Sequence, residues 1–149
     1  MSPLTLREQM TAYQETWRSI ESLYGQYAKS EGLTYLGFLV LDILLTTPNN
    51  CTQKYICEQL LLPKQTVNAI IKTFWEQGYV EMKEIDADRR NKAIRLSASG
   101  QKYAERVMEK IFAVEEDAMG QLTHEQRQAL IDFSKIIESN LRKRLSENY

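Results

Sequence analysis

The sequence predicts a mainly α-helical chain carrying one small β-hairpin, in the order helix, helix, helix, helix, hairpin, helix, helix. Three observations predict it. Apolar residues recur at steps of three and four along most of the 149 residues. Residues 79–96 instead alternate in twos around a polar connection. The breaks fall where glycine, proline or a capping hydroxyl stands.

Leu6, Met10, Tyr13, Trp17, Ile20, Tyr24 and Tyr27 follow at alternating steps of four and three, so a first helix carries one continuous apolar seam. Gly32 and Thr34 interrupt it. A second, more apolar helix runs from about Leu33 to Leu45; Tyr35, Phe38, Leu39, Leu41 and Leu44 make it the predicted buried centre. Thr46-Thr47-Pro48-Asn49-Asn50 is turn chemistry. Thr52 is placed to cap a short third helix to about Leu61, with Ile56 and Leu60 inward. Pro63 suits the first turn of a fourth helix, where its missing N–H costs nothing. Val67, Ile70, Ile71 and Phe74 form that helix's core stripe, and Gly78 ends it.

Tyr79–Glu84 and Lys92–Leu96 read as strands joined by a polar loop, Ile85 to Asn91. A hairpin directly after a helix-turn-helix is a wing. Ser97 caps a long fifth helix with a stripe at Tyr103, Val107, Ile111, Val114 and Ala118, closed by Gly120. Thr123-His124-Glu125-Gln126 is a capping box opening a sixth helix that carries Leu130, Phe133, Ile137, Leu141 and Leu145.

Composition narrows the function classes. With 43% hydrophobic and 26% charged residues, the chain is an ordinary globular mixture of single-domain size. No stretch approaches the length that spans a bilayer, the N-terminus lacks a secretory layout, and the cytoplasm is the expected compartment. Cys51 and Cys57 are too few for a disulfide scaffold. The single histidine, His124, sits in a capping box with no closely spaced ligand set, so neither metal nor other cofactor is expected. Without a Gly-rich phosphate loop or a nucleophile motif, enzyme chemistry is not expected either.

The net charge of −1 hides a local asymmetry. Residues 62–96 hold seven Lys/Arg against five Asp/Glu, and residues 63–75 hold two lysines and no acid. With its apolar stripe turned to the core, the fourth helix leaves Lys64, Gln65, Thr66, Asn68, Ala69 and Lys72 outward. Amides bond adenine edges, lysine reaches guanine or phosphate, and threonine bonds a phosphate or touches a thymine methyl. Such a face is also the ordinary solvated side of an amphipathic helix. The arginines Arg89 and Arg90 in the hairpin loop tip the balance toward DNA, because narrow A·T-rich minor grooves attract arginine. Asp88 is placed to brace one of them.

The run Leu61-Leu62-Pro63-Lys64-Gln65-Thr66-Val67, then Gly78-Tyr79-Val80, Asp86-Ala87-Asp88-Arg89-Arg90-Asn91-Lys92 and Leu96-Ser97-Ala98-Ser99-Gly100, resembles the multiple-antibiotic-resistance regulator (MarR) family. The resemblance covers essentially the whole chain in element order and is most specific between Thr52 and Gly100. It implies a winged helix-turn-helix homodimer in which the first, fifth and sixth helices dimerise, the fourth enters the major groove, and Arg90 enters the minor groove with Asp88 as partner. On this reading residues 1–31 and 98–149 form dimerisation helices around a DNA-binding lobe at 33–97. Pro63 departs from the serine cap of many relatives.

The dimer also follows from the residues, since the terminal helices carry more apolar surface than one such lobe covers. A two-fold dimer sets two recognition helices roughly 34 Å apart and demands a pseudo-palindromic operator. The expected function is therefore a transcriptional regulator, a repressor released by an effector. The resemblance implies a small aromatic effector held near Tyr13, Trp17, Tyr35 and Phe38; the same aromatic cluster also suits a plain core. Cys51 precedes the third helix, where it is either a thiolate-prone redox site or one more core contact. Cys57 is expected in the core. A cysteine-based redox regulator and a winged-helix protein adaptor without DNA are the competing readings.

Overall fold

The computed structural model describes residues 3–85 and 88–147, the side chains at 85 and 88–91 excepted. Its elements are α1 (Leu6–Ser30), α2 (Tyr35–Thr46), α3 (Gln53–Leu60), α4 (Lys64–Glu76), β1 (Val80–Ile85), β2 (Asp88–Leu96), α5 (Ala98–Gly120) and α6 (His124–Glu147). The order is the predicted one, mainly helical with one antiparallel hairpin. The chain forms two compact units, one up to Met108 and one from Glu109 onward, with α5 contributing to both.

In the first unit, local chemistry sets the ends of the helices. Thr5 and Glu8 close a capping box on α1, the Thr5 N–H donating to the Glu8 carboxylate at 2.7 Å. Gly32, at φ +79, lets the chain turn back so that Leu33 N–H reaches Ala28 O at 2.8 Å. Thr34 lies in the break between α1 and α2, as expected, and also caps the second helix. Its hydroxyl accepts from Gly37 N–H at 2.9 Å, so Thr34 is the N-cap and α2 starts at Tyr35, later than predicted. Thr52 caps α3 as expected, accepting from Tyr55 N–H at 3.1 Å.

Pro63 corrects a second expectation: it stands at the N-cap of α4, at φ −60 and ψ 146, rather than in its first turn. It offers no side-chain acceptor, and its carbonyl takes the N–H groups of Thr66 and Val67 at 3.1 and 3.2 Å. At the other end Gly78 takes φ +74, and Tyr79 N–H returns to Phe74 O at 2.8 Å.

The core of this unit gathers on α2. Phe38, Val40, Leu41 and Leu44 are buried with Ile56, with Val67, Ile71 and Phe74 of α4, and with Val80 and Ile94 of the hairpin. Ala104, Val107 and Met108 contribute from the start of α5. Each large side chain removed from water contributes about 1.5–3 kcal/mol.

The hairpin pairs Val80 with Leu96 through Glu84 with Lys92, then shifts register to pair Ile85 with Asp88. β1 is displaced by one residue from the expected strand at the same length, and β2 starts earlier than the sequence suggested. The predicted loop from Ile85 to Asn91 is wrong at both ends, because the backbone of Ile85 completes β1 and that of residues 88–91 opens β2. Pairing to a partner strand extended a polar run that composition alone assigns to a loop. A further bridge joins Thr52 to Ala93, with Ile94 N–H donating to Cys51 O at 2.7 Å. Thus β2 lies between β1 and the residues that lead into α3.

The end of α1 is tied to the start of α5. Tyr27 Oη donates to Val107 O at 2.6 Å, and Tyr103 Oη donates to Glu31 O at 2.7 Å. Arg106 meets the nearly enclosed Glu31 carboxylate at 2.7 Å and lies 5.4 Å from the Tyr103 ring centre. Tyr103 stacks on Tyr79 at 4.6 Å. Burial first, and then the neighbouring Tyr79, push the Tyr103 phenol above its ordinary pKa. Ser97 caps α5 by accepting from Gly100 N–H at 3.0 Å.

In the second unit, Thr123 and Gln126 exchange the reciprocal bonds of a capping box at 2.9 and 3.2 Å, which starts α6. Arg127 donates to the carbonyls of Met119 and Leu122 across the turn. Of the predicted α5 stripe, Tyr103 is half-buried and Val107 and Ile111 are buried, but its later residues and the whole α6 stripe are not packed within the single chain. Val114 and Ala118 on α5 are exposed, as are Leu130, Phe133, Ile137, Leu141 and Leu145 on α6. In the first unit, Leu6, Met10, Tyr13, Trp17 and Ile20 of α1 are exposed likewise.

Candidate nucleic-acid interface

The surface of interest begins with the faces of α4. Val67, Ile71 and Phe74 are buried, and this fixes the rotation of the helix about its axis. Lys64, Gln65, Asn68, Ala69 and Lys72 are then exposed, while Thr66 is half-buried and only partly available. No acid falls among them, but Glu76 lies one turn on and meets Lys72 at 3.9 Å. Both groups are well exposed, and such pairs are worth under ~1 kcal/mol, so Lys72 exchanges this partner readily.

The helix-turn-helix is braced by a bond that sequence reasoning did not anticipate. Gln53 Nε2, at the start of α3, donates to Lys64 O at 2.9 Å. Between α3, α4 and the hairpin opens a cleft of about 520 Å³. Lys54, Lys64 and Lys92 stand around it, with Thr52, Gln53 and Asn68 as further polar lining. Cys57, Met82 and Ile94 are its apolar lining. Lys54 pairs with Glu58 at 3.8 Å in an exposed i,i+4 contact. Three lysines thus line one cleft between α3, α4 and the hairpin.

Thr52, Gln53, Lys54 and Lys92 were missed from sequence. The available signal was the cap at Thr52, which marks a helix N-terminus, a place that favours anions. Asp88, Arg89 and Arg90 lie in β2 by backbone, not in a loop, and their side chains are outside the described residues.

The aromatic residues do not assemble as expected. Tyr13 and Trp17 are exposed on α1, Tyr35 is half-buried and Phe38 is buried. Phe38 instead packs with Tyr24, at 6.4 Å between ring centres, and edge-on with Tyr27 at 6.0 Å. Phe38 is thus a core residue first.

The redox reading of Cys51 is also corrected. Its side chain is wholly buried, and burial pushes the thiol up to about 11, away from the thiolate that oxidants attack. The bridge between Thr52 and Ala93 explains this, since it makes the residue before α3 a rung of the sheet. Cys57, expected in the core, is half-buried in the lining of the cleft. Among the described residues there is no group of three His, Cys, Asp or Glu that could hold a metal ion. No helix among them is long and apolar enough to cross a membrane.

No curated protein sequence matches this chain. The MarR family model matches residues 31–91, which run from the end of α1 into β2. The chain is similar to NMB1585, a MarR family regulator from Neisseria meningitidis, at 28% identity and a TM-score of 0.79, covering 95% of this chain and 99% of that one. It shares its fold with a MarR/EmrR family transcriptional regulator from Acinetobacter sp. ADP1, at 19% identity and a TM-score of 0.73, over 94% and 99% of the two chains. It shares it also with S. aureus MepR in its DNA complex, at 22% identity and a TM-score of 0.72, over 85% and 97%. The chain thus matches the MarR family over its helix-turn-helix, residues 31–91, and shares over nearly its full length the fold of a MarR family regulator.

Proposed function

We propose that this regulator is a repressor, gripping a pseudo-palindromic duplex operator as a homodimer and releasing it when a small aromatic effector binds. The observation that carries the reading is the exposed, acid-free edge of α4 from Lys64 to Lys72, set beside a cleft flanked by Lys54, Lys64 and Lys92. Lys64, Gln65 and Asn68 meet base edges in the major groove, and Thr66 and Lys72 position the helix on phosphates. A phosphate strand passing between recognition helix and wing meets Lys54 and Lys92. Arg89 and Arg90 serve the minor groove with Asp88 as brace, a role argued from sequence alone. MepR, which shares the fold, is described in complex with DNA.

The homodimer rests on the apolar seam of α1 and the exposed stripe of α6, which soluble monomers rarely present to water. The effector is argued from the aromatic residues of α1 and α2, with Tyr13, Trp17 and Tyr35 the accessible candidates around the Phe38 core. Repression follows from occluding a promoter, and release from a ligand that favours a different spacing of the two lobes. The burial of Cys51 speaks against the cysteine-based alternative.

Selection of duplexes from a random pool, followed by binding across a salt series, tests this reading. The wild-type chain should enrich a two-fold-related site. Lys64→Ala and Arg90→Ala should each flatten the log–log salt slope by about 0.9. Absence of retention on any duplex at low salt refutes DNA binding and favours the protein-adaptor reading.

A further inference from the structure

We infer that Leu61, in the turn between α3 and α4, is a DNA-contacting residue that presses an apolar side chain against the C–H surface of the bound duplex. The inference rests on the DNA-binding reading and adds to it a contact of a different kind from the polar residues of α4.

Leu61 is the C-cap of α3 and adopts the left-handed conformation, at φ 52 and ψ 41. This region is open to glycine and tolerable for asparagine, but in any other L-residue it brings Cβ against the backbone. A branched, apolar residue is among the least suited to it. The turn itself needs the conformation, because Leu61 N–H caps the helix at Cys57 O and Leu62 N–H reaches the same carbonyl at 3.2 Å. It does not need the leucine side chain, which is 89% exposed. Burial on the described chain thus gives back nothing for the strain. Strained positions of this kind collect at functional sites.

Position supplies the partner. Leu61 stands three residues before Lys64, on the segment that delivers the chain into the N-terminal end of α4. That segment is held to α3 by the Gln53 bond to Lys64 O, so Leu61 is presented on a braced turn. Lys64 and Gln65, which follow it, are exposed. Duplex DNA offers two apolar surfaces at the edge of a major groove, the thymine C5-methyl group and the C–H face of deoxyribose. Leucine is chemically suited to both, and the shared chemistry is an apolar contact.

The test uses the full-length protein and a duplex selected by the wild type from a random pool. Leu61→Gly and Leu61→Asn both fit the left-handed turn, so both should fold, and Leu61→Gly should raise the melting temperature by a few degrees. Both should nevertheless bind the duplex roughly tenfold more weakly. Leu61→Met keeps the apolar reach without the branch and should stay within about twofold of wild type. Replacing each thymine by deoxyuridine removes only the methyl group. A position whose loss is felt by wild type and not by Leu61→Gly identifies a methyl contact; no such position identifies the sugar face. Glycine and asparagine variants that bind as tightly as wild type overturn the inference and leave the DNA reading standing. A wild type that binds no duplex overturns both. A weakened homodimer with unchanged DNA binding per dimer, read by sedimentation, assigns Leu61 to the protein partner and also overturns it.

Discussion

Alanine at position 100 would place a methyl group where the Tyr79 carbonyl already stands. A Cβ built on Gly100 lies 1.9 Å from Tyr79 O, 2.8 Å from its carbonyl carbon and 3.0 Å from its Cα. All three are backbone atoms and cannot swing aside as a side chain would. That carbonyl accepts from Ser97 N–H at 2.9 Å, while the Ser97 hydroxyl donates to Gly78 O at 2.6 Å and caps Gly100 N–H. Reaching ordinary contact requires the first turn of α5 to retreat by roughly 1.5 Å. Such a retreat pulls these bonds apart. Overpacking costs about 1–3 kcal/mol and each weakened hydrogen bond about 1 kcal/mol, so Gly100→Ala should lose about 2–4 kcal/mol. Urea denaturation at a fixed protein concentration measures this. Gly25→Ala, inside α1 with nothing within 4 Å of its Cβ, is the control and should gain about 0.5–1 kcal/mol from helix propensity. Equal midpoints for wild type and Gly100→Ala would refute the close-approach argument.

Two further perturbations report on buried groups. The Cys51 thiol is raised by burial from 9.0 to about 11, so the unfolded chain releases its proton first. Its contribution to stability is whole below about pH 9 and is lost as pH climbs toward 11; Cys51→Ala should show a shallower alkaline decline. In the native protein at pH 8, iodoacetamide should modify Cys57 well before Cys51, with the difference erased in urea; equal native rates would contradict the burial argument. Tyr103→Phe removes the 2.7 Å bond to Glu31 O but keeps the stack on Tyr79, and should cost about 1 kcal/mol. Tyr103→Ala loses both and should cost about 3 kcal/mol or more by thermal denaturation, so equal losses would show that the stack contributes nothing.

What could be read from the sequence was what local geometry determines. Helical period placed Val67, Ile71 and Phe74 on the buried side of α4, and the opposite edge followed by subtraction. Gly78 and Thr52 announced a stop and a start because their chemistry acts within a few residues. Misreadings fell where one residue serves two local structures equally well. Thr34 stands in the break and is also a cap, and only the bond from Gly37 N–H shows that α2 starts after it rather than at Leu33. Pro63 fits the N-cap as well as the first helical turn, since neither position asks for its N–H. Residues 88–91 read as loop because their β structure comes from a partner strand.

The lysine cleft was illegible for a related reason. Thr52, Gln53 and Lys54 are separated from Lys92 by the remainder of α3, by α4 and by β1, and no pattern within either segment refers to the other. They meet because Thr52 bridges Ala93 and Cys51 O accepts from Ile94 N–H. That backbone pairing does two things at once. It buries Cys51, which removes a reactive thiol, and it sets Lys92 beside the start of α3. The separation of the wing lysine from the helix lysines is therefore fixed by main-chain bonds, and the wing cannot slide along α3 without breaking them. If the proposed DNA-binding reading holds, a duplex here meets a groove set by these bonds, so mutations that break the Thr52–Ala93 bridge should lower affinity in a duplex-binding assay even though neither side chain need touch DNA.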